Sequence, residues 1–175
     1  MPPSGRPLPG EYAAYAQADI DLVKGDDIVA TLGAQREMVL SLLGKVNEQD
    51  ANAAYAPGKW SIKQVAGHLC DDERIFAYRA LCIARGDARP LPGFDEKEYM
   101  ATAGFESRTL ADILAEYRTV RWATLTLFVS MPEDSWLRRG IVNGYEATPR
   151  GLAFHIAGHE LHHVRVLRER YLAAT

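Results

Sequence analysis

The sequence of 175 residues has little cysteine, no long apolar run and no excess of one charge. Its two cysteines, Cys70 and Cys82, are twelve residues apart in one predicted helix, where they cannot form a disulfide without breaking that helix. Free thiols are typical of a reducing compartment. No stretch approaches the roughly 20 apolar residues of a membrane span, and the N-terminal sequence lacks the apolar segment of a signal peptide. These absences predict a cytoplasmic protein without a membrane partner.

The charges are nearly balanced, with 20 Lys and Arg against 23 Asp and Glu. No basic block provides the electrostatic surface that nucleic-acid binding requires. We therefore expect a small molecule as the partner, and no nucleic acid. The length and the hydrophobic share of 47% are typical of one domain with a full core.

Hydrophobic periodicity predicts four amphipathic helices, at about 27–46, 61–86, 109–131 and 148–172, and no strand-rich region. The second has the clearest start, because Ser61 and Gln64 fit a capping box. Thr148 and Pro149 mark the start of the fourth. An Asn143-Gly144 turn signal before it predicts a small hairpin.

Four such helices predict an all-α fold, a four-helix bundle. The connection over 86–108 is much longer than is usual between neighbouring helices of a bundle. We expect it to cross the bundle end, to leave the second and third helices parallel, and to border a site. Residues 1–25 are expected to form a partly disordered extension, and residues 26–175 the bundle domain.

Histidines are the most informative feature of the sequence. Four of the five lie in HIAGHELHHVRVLRER, at His155–Arg170, and the fifth is His68. At 100° per residue, His159 and His163 share the inward stripe of the fourth helix, and His68 lies on the inward stripe of the second. Imidazoles directed into a core are costly without a partner. A divalent metal would satisfy all three and keep one position open; the alternative is three core histidines bonded to backbone or carboxylate groups.

The segment HELHH also matches the H-E-x-x-H pattern of zinc peptidases, but its surroundings do not. A metzincin needs Gly and His where this chain has Val166 and Glu169. A thermolysin-like enzyme needs a carboxylate ligand well downstream, and the sequence stops at Thr175. We therefore expect the third ligand upstream, at His68, and do not expect a peptidase.

Three carboxylates are candidates for catalysis because of their spacing from the histidines. Asp71 and Asp72 follow His68 by three and four residues, and Glu160 follows His159. Asp71 and Asp72 are each predicted either to act as a base, to hold an imidazole N–H, or to be a surface charge. Glu160 is predicted either to act as a base or to be a surface residue.

Arg79, Arg121 and Tyr78 are candidates for substrate binding, the arginines because they lie near inward stripes and the tyrosine as an aromatic residue expected to line a pocket. The two arginines are expected either to bind a substrate carboxylate or to form structural ion pairs. The alternative for the tyrosine is a place in the core.

Three blocks of the sequence, YAPGKWSIKQVAGHLCDDERIFAYRALCIARGD, PLPGFDEKEY and RGIVNGYEATPRGLAFHIAGHELHHVRVLRERY, resemble the DinB-like superfamily, the DinB and YfiT relatives first noticed as bacterial damage-inducible proteins. The resemblance implies a four-helix bundle with a divalent metal bound by His68, His159 and His163. The acidic residue common three positions after the first histidine is Asp71 here. Many members follow the histidine pair with Arg and then Gly-Gln, whereas this chain has Val-Arg-Val, so the role of that Arg is not carried over.

The resemblance also implies a reaction class in broad terms. Some relatives are transferases that use a low-molecular-weight thiol as co-substrate, and others are regarded as small-molecule hydrolases. The alternative is a non-catalytic stress-response protein that binds a metal or a ligand. Zn or Ni is the expected metal, and Co, Fe or Mn would also suit.

Relatives are often dimeric, and apolar side chains beside the main stripes of the first and third helices agree with that. Val29 and Met38 lie on the first of these helices, and Trp122 and Leu125 on the third. We therefore expect a homodimer formed helix on helix, with a monomer as the alternative.

Overall fold

The computed structural model describes residues 5–173, which form a helical bundle with one small hairpin. The helices are α1 (Gln17–Ile20), α2 (Ile28–Leu43), α3 (Glu48–Ala51), α4 (Ile62–Ala84), α5 (Glu96–Ala103), α6 (Leu110–Val129) and α7 (Pro149–Val166). Strands β1 (Gly140–Val142) and β2 (Tyr145–Ala147) pair antiparallel, and a π-helical turn, Leu167–Tyr171, follows α7. The four long helices are those predicted from the sequence. No helix within residues 5–173 is both long and apolar enough to cross a bilayer.

The predicted helix starts are confirmed in atomic detail. Ser61 caps α4 by accepting from the Gln64 amide, and the Gln64 side chain accepts from the Ser61 amide, which completes the capping box. Thr109 and Thr148 accept from the amides of the first turns of α6 and α7. These side chains satisfy amide groups that would otherwise lack partners at the helix ends.

The bundle is built from α2, α4, α6 and α7, and both α2 and α4 pack against α6 and α7. Residues later in α4 contact residues later in α6. Arg74 pairs with Glu116, and farther along, Leu81 and Leu127 line one groove. The two helices are therefore parallel, as the long connection between them predicts.

The connection between α4 and α6 is partly structured. It contains α5, which begins at the N-cap Asp95, and Leu91 pairs with the β1 strand through Val142. The adjoining hairpin confirms the predicted turn, with Asn143 at a positive φ of 49° and Gly144 at 80°. This contact between loop and hairpin places both beside the N-terminal part of α7.

Two clusters of buried apolar side chains form the core. The first includes Ile20, Leu32, Phe76, Phe128, Trp136 and Phe154. The second includes Val39, Leu69, Met100, Phe105, Ile113 and Leu167. Cys70 is buried and Cys82 half-buried, and neither forms a disulfide.

Residues 11–23, here called the N-terminal arm, pack against α7. Glu11 accepts hydrogen bonds from Arg150 Nε at 3.0 Å and from Thr148 Oγ1 at 2.8 Å. The backbone approaches so closely that a Cβ on Gly158 would lie 2.4 Å from the carbonyl oxygen of Asp19. The arm therefore shares the core with the bundle, where the sequence led us to expect a partly disordered extension. Residues 1–4 of that extension lie outside the described residues.

Candidate metal centre and its cavity

Three histidines from two antiparallel helices converge on one point. Nε2 of His159 lies 3.1 Å from Nε2 of His68 and 3.0 Å from Nε2 of His163. The ligand atoms of the three residues all lie within 4.8 Å of one another. Nitrogens bound tetrahedrally to one ion at about 2.1 Å are about 3.4 Å apart, so a slight outward shift of the rings would accommodate it. The residues present therefore fit a divalent metal.

The three imidazoles are held in the form that binds metal. Burial lowers the pKa of His68 to about 4 and, together with neighbouring His68 and His162, that of His163 to about 3. Burial and the neighbouring histidines bring the pKa of His159 well below its ordinary value. Neutral rings leave a nitrogen lone pair free for coordination at neutral pH.

Asp72 is the one predicted catalytic carboxylate that the structure brings to these histidines. Its Oδ2 lies 3.2 Å from Nδ1 of His159, on the opposite side of the ring from the convergent Nε2. Asp72 is 5% exposed, and burial raises its pKa to about 8. A ring N–H held by a carboxylate fixes the tautomer that presents Nε2 to a metal.

A cavity of about 550 Å³ opens onto the three histidines. Its walls come from the N-terminal arm, α4, the start of α5, the hairpin turn and α7. The lining residues include Tyr15, Asp19, Asp72, Phe76, Phe94, Asp95, Glu96, Lys97, Asn143, His155, His159, His162 and His163.

A second cavity of about 350 Å³ reaches His163 from another direction. It shares Glu96, Lys97, His162 and His163 with the first cavity. Its own wall is aromatic and includes Tyr55, Trp60 and Tyr171. The cluster of three histidines is therefore accessible from two sides.

Glu96 is a site residue that the sequence reasoning missed. Its Oε2 lies 3.8 Å from Nε2 of His68, its side chain is about half exposed, and it lines both cavities. The available signal was Asp95, which caps α5 by accepting from the Lys97 and Glu98 amides. That capping signal predicts a short helix in the connection, but not which residue of its first turn faces the histidines.

The structure places two predicted site residues away from the cavity. Asp71 is half-buried on another face of α4, and Arg74 Nη1 lies 3.7 Å from its Oδ1. Tyr78 is exposed in the groove between α4 and α6. Successive residues of a helix point in different directions around its axis. A residue close to His68 in sequence therefore need not lie on the same face of the helix.

Arg121 and Glu160, predicted to bind substrate and to act in catalysis, are instead partners in a buried ion network. Arg121 donates to Glu73 from Nε and Nη2 at 2.8 Å and to Glu160 from Nη2 at 2.7 Å. Its Nη1 donates to the carbonyl oxygen of Leu32 at 2.9 Å, and Tyr117 donates to Glu160 at 2.6 Å. The network joins all four bundle helices and leaves neither group available to a substrate.

Arg79, the other predicted substrate-binding arginine, supports the cavity wall from behind. Its guanidinium packs on the rings of Phe76 and Phe94, at 4.8 and 5.5 Å from their centroids. Nη2 donates to the carbonyl oxygen of Pro92 at 2.7 Å. Arg79 therefore attaches the loop to α4, and it is not one of the residues that line the cavity.

The two remaining histidines of α7 occupy different surroundings. His162 Nδ1 lies 3.2 Å from Oδ1 of Asp19. His155 is 6% exposed and packs between the rings of Phe76 and Tyr15, with centroid distances of 4.2 and 5.9 Å. Both residues line the cavity.

Comparisons with known proteins agree with this architecture. A model of the DinB superfamily matches residues 31–167. A Geobacillus thermodenitrificans (strain NG80-2) protein named "Putative metal-dependent hydrolase" is 30% identical over 134 residues, which cover 74% of this chain and 71% of that protein. Among solved structures, YfiT from Bacillus subtilis, described as "a probable metal-dependent hydrolase with an unusual four-helix bundle topology", matches with a TM-score of 0.78 at 16% identity. The match covers 97% of this chain and 94% of YfiT, and at that identity it concerns the fold.

Proposed function

Since the family match extends over most of its length, the chain belongs to the DinB superfamily, and we propose that it is a metal-dependent hydrolase of a small molecule. The observation that carries this proposal is the convergence of three imidazole Nε2 atoms at the wall of an open cavity. The names of the two relatives support the same reaction class.

His68, His159 and His163 are the proposed ligands, and they would hold a divalent ion with one face toward the cavity. When bound, such an ion supplies Lewis-acid chemistry, which polarises a substrate carbonyl and lowers the pKa of water toward 7. In its ionised form, Asp72 would keep Nδ1 of His159 protonated, so that Nε2 remains the coordinating atom. The three ligands are neutral and leave the full charge of the ion available to the reaction.

Glu96 is the proposed general base. Its Oε2 lies 3.8 Å from Nε2 of His68, it is neither an N-cap nor bonded to His159, and it lines both cavities. In hydrolysis it would accept a proton from the attacking water and return it to the leaving group. An open cavity and an uncommitted carboxylate favour an enzyme over a non-catalytic metal-binding protein.

A thiol-dependent transferase is the second candidate, because two cavities meet at the proposed metal centre. A transfer reaction needs room for both an acceptor and a low-molecular-weight thiol. The aromatic cavity around Trp60 and the larger cavity share His163 and Glu96 at their junction. Glu96 would then take the thiol proton and generate the thiolate nucleophile.

Metal analysis of protein purified without an affinity tag tests the site. We expect about one Zn or Ni per chain, and a strong loss of metal in His163→Ala. The matched control is His162→Ala, which removes the adjacent histidine of the same helix. A parent protein without metal, or equal metal content in the two variants, would contradict the site.

A panel of small esters, amides and electrophiles, each assayed with and without thiols, tests the reaction. We expect turnover that requires metal and falls at least about 100-fold in Glu96→Gln, the usual scale of general-base catalysis. Turnover without thiol identifies a hydrolase, and turnover only with thiol identifies a transferase. Stoichiometric metal without turnover on the panel would instead support the non-catalytic alternative.

A further inference from the structure

The inner wall of the large cavity carries a polar side chain that the proposed chemistry does not use. His155 is 6% exposed, yet it forms no side-chain hydrogen bond with any residue in the described range 5–173. Its ring lies beside His159, with centroids 6.2 Å apart, and borders the cavity. Its ring nitrogens are accessible from the cavity, where a ligand can form a hydrogen bond with them.

The surroundings of His155 favour its neutral form. Burial and the nearby Arg79 lower its pKa to about 4. A neutral imidazole has one donor and one acceptor nitrogen. The cavity therefore contains a hydrogen-bond acceptor next to the flat faces of Phe76 and Tyr15.

The N-terminal arm completes this part of the wall. Tyr15 and Asp19 line the cavity, although the arm precedes residues 31–167, the segment matched by the family model. The close approach at Gly158 fixes the backbone of Asp19 against α7. Asp19 uses Oδ1 toward His162, and its side chain is about a quarter exposed.

Charge distinguishes the ligands that this wall would favour. Asp19 places a carboxylate at the end of the cavity beside the N-terminal arm and His155, away from the proposed ion, and Lys97 is the one lysine or arginine among the described lining residues. Both arginines expected to bind a substrate carboxylate are engaged elsewhere. Aromatic rings near carboxylates bind organic cations through their faces, which a negatively charged ligand cannot exploit.

We propose that the cavity binds small molecules carrying a protonated amine on a flat apolar group, with His155 and the arm residues Tyr15 and Asp19 as specificity-determining residues. The amine would donate to the free nitrogen of His155 and face Asp19, while the apolar group packs against the sides of Tyr15 and Phe76 that line the cavity. The inference rests on the proposed function, since it names the substrate class for that site.

Binding of three matched probes to the metal-loaded protein, measured by calorimetry or ligand-observed NMR, tests this proposal. The probes are benzylamine, a cation that donates hydrogen bonds, benzyltrimethylammonium, a cation that does not, and benzyl alcohol, which is neutral. We expect both cations to bind about tenfold more tightly than the alcohol, the scale of one favourable charged contact.

Two substitutions separate the contributions of charge and hydrogen bonding. Asp19→Asn is expected to weaken both cations about tenfold, whereas the control Asp21→Asn, on the exposed side of the arm, leaves them unchanged. His155→Phe retains a ring between Phe76 and Tyr15 and is expected to weaken benzylamine alone. Metal content must match the parent in every variant, because none of these residues is a proposed ligand.

The proposal is overturned if the alcohol binds as tightly as the cations, or if neither cation binds at millimolar concentration. It is also overturned if Asp19→Asn leaves cation binding unchanged, or if His155→Phe leaves benzylamine binding unchanged. These outcomes differ from a failure of the proposed function. If the parent protein contains no metal, the proposed metal centre is contradicted, whatever the binding of the probes. If the parent contains stoichiometric metal but shows no preference for cations, only the proposed substrate class is contradicted.

Discussion

Oδ2 of Asp72 and Nδ1 of His159 lie 3.2 Å apart across a buried contact between α4 and α7. We predict that Asp72→Ala lowers metal affinity about 10- to 100-fold, because His159 loses the group that sets its tautomer and orientation. Competition with a chromophoric chelator measures the change. The control is Asp71→Ala, one residue earlier and outside the cavity. Equal losses in the two variants would show that Asp72 does not position His159.

Arg121 is the centre of a buried network with Glu73 and Glu160. We predict that Arg121→Met lowers the free energy of unfolding by about 3–5 kcal/mol, because two carboxylates remain buried without their cation. Urea denaturation measures it. Arg118→Met, at an exposed position of the same helix, is the control and should change stability by less than about 0.5 kcal/mol. A small effect at Arg121 would mean that water or protonation replaces the ion pair.

Local patterns in the sequence predicted the parts of the molecule that depend on local physics. The capping box at Ser61, the start of α7 at Pro149 and the hairpin turn at Asn143 each follow from interactions within a few residues. The convergence of His68 with the α7 histidines was also predictable, because helical periodicity and an inward stripe restrict where those side chains point.

Contacts between distant segments were not predictable in the same way. Tyr15 and Asp19 reach the cavity because the arm packs against α7, and Glu96 reaches His68 because α5 folds back over the bundle end. Arg121 was expected at the site because it lies near an inward stripe, and Glu160 because it follows His159. The position of a long polar side chain on a helix face does not predict which of several neighbouring residues it will contact.

Gly158 allows the N-terminal arm to approach α7. We predict that Gly158→Ala destabilises the protein by about 1–3 kcal/mol, because its Cβ would meet the backbone of Asp19 and Ile20 at 2.4–2.8 Å. Gly33→Ala is a matched control, since that helical glycine has nothing within 4 Å of the added Cβ. The control should gain about 0.5–1 kcal/mol from helix propensity. Thermal unfolding compares the two, and equal shifts would contradict close packing of the arm.

Trp122 is 60% exposed on α6, with the guanidinium of Arg36 5.5 Å from its ring centroid. We propose that this face forms the predicted twofold dimer, in which the indole would be buried against a second copy. Light scattering should give twice the mass of the 19.4 kDa chain for the parent and a monomer for Trp122→Glu. A parent mass near that of one chain, constant as the concentration rises, would exclude the dimer.

His155 should make stability depend on pH in a defined direction. Its folded pKa of about 4 lies below the ordinary value of 6.5, so the unfolded chain binds more protons between these values. The stability that the lowered pKa of His155 contributes is fully present above pH 6.5 and is lost as the pH falls through 6.5 toward 4. From pH 7 to pH 5 we expect the parent to lose about 2 kcal/mol more than His155→Phe, which has no titrating group at this position. Urea unfolding at both pH values measures the difference, and the proposed metal ligands titrate in both proteins, so their contribution cancels. An equal loss in parent and variant would mean that His155 gains a proton in the folded state as readily as it does in the unfolded chain.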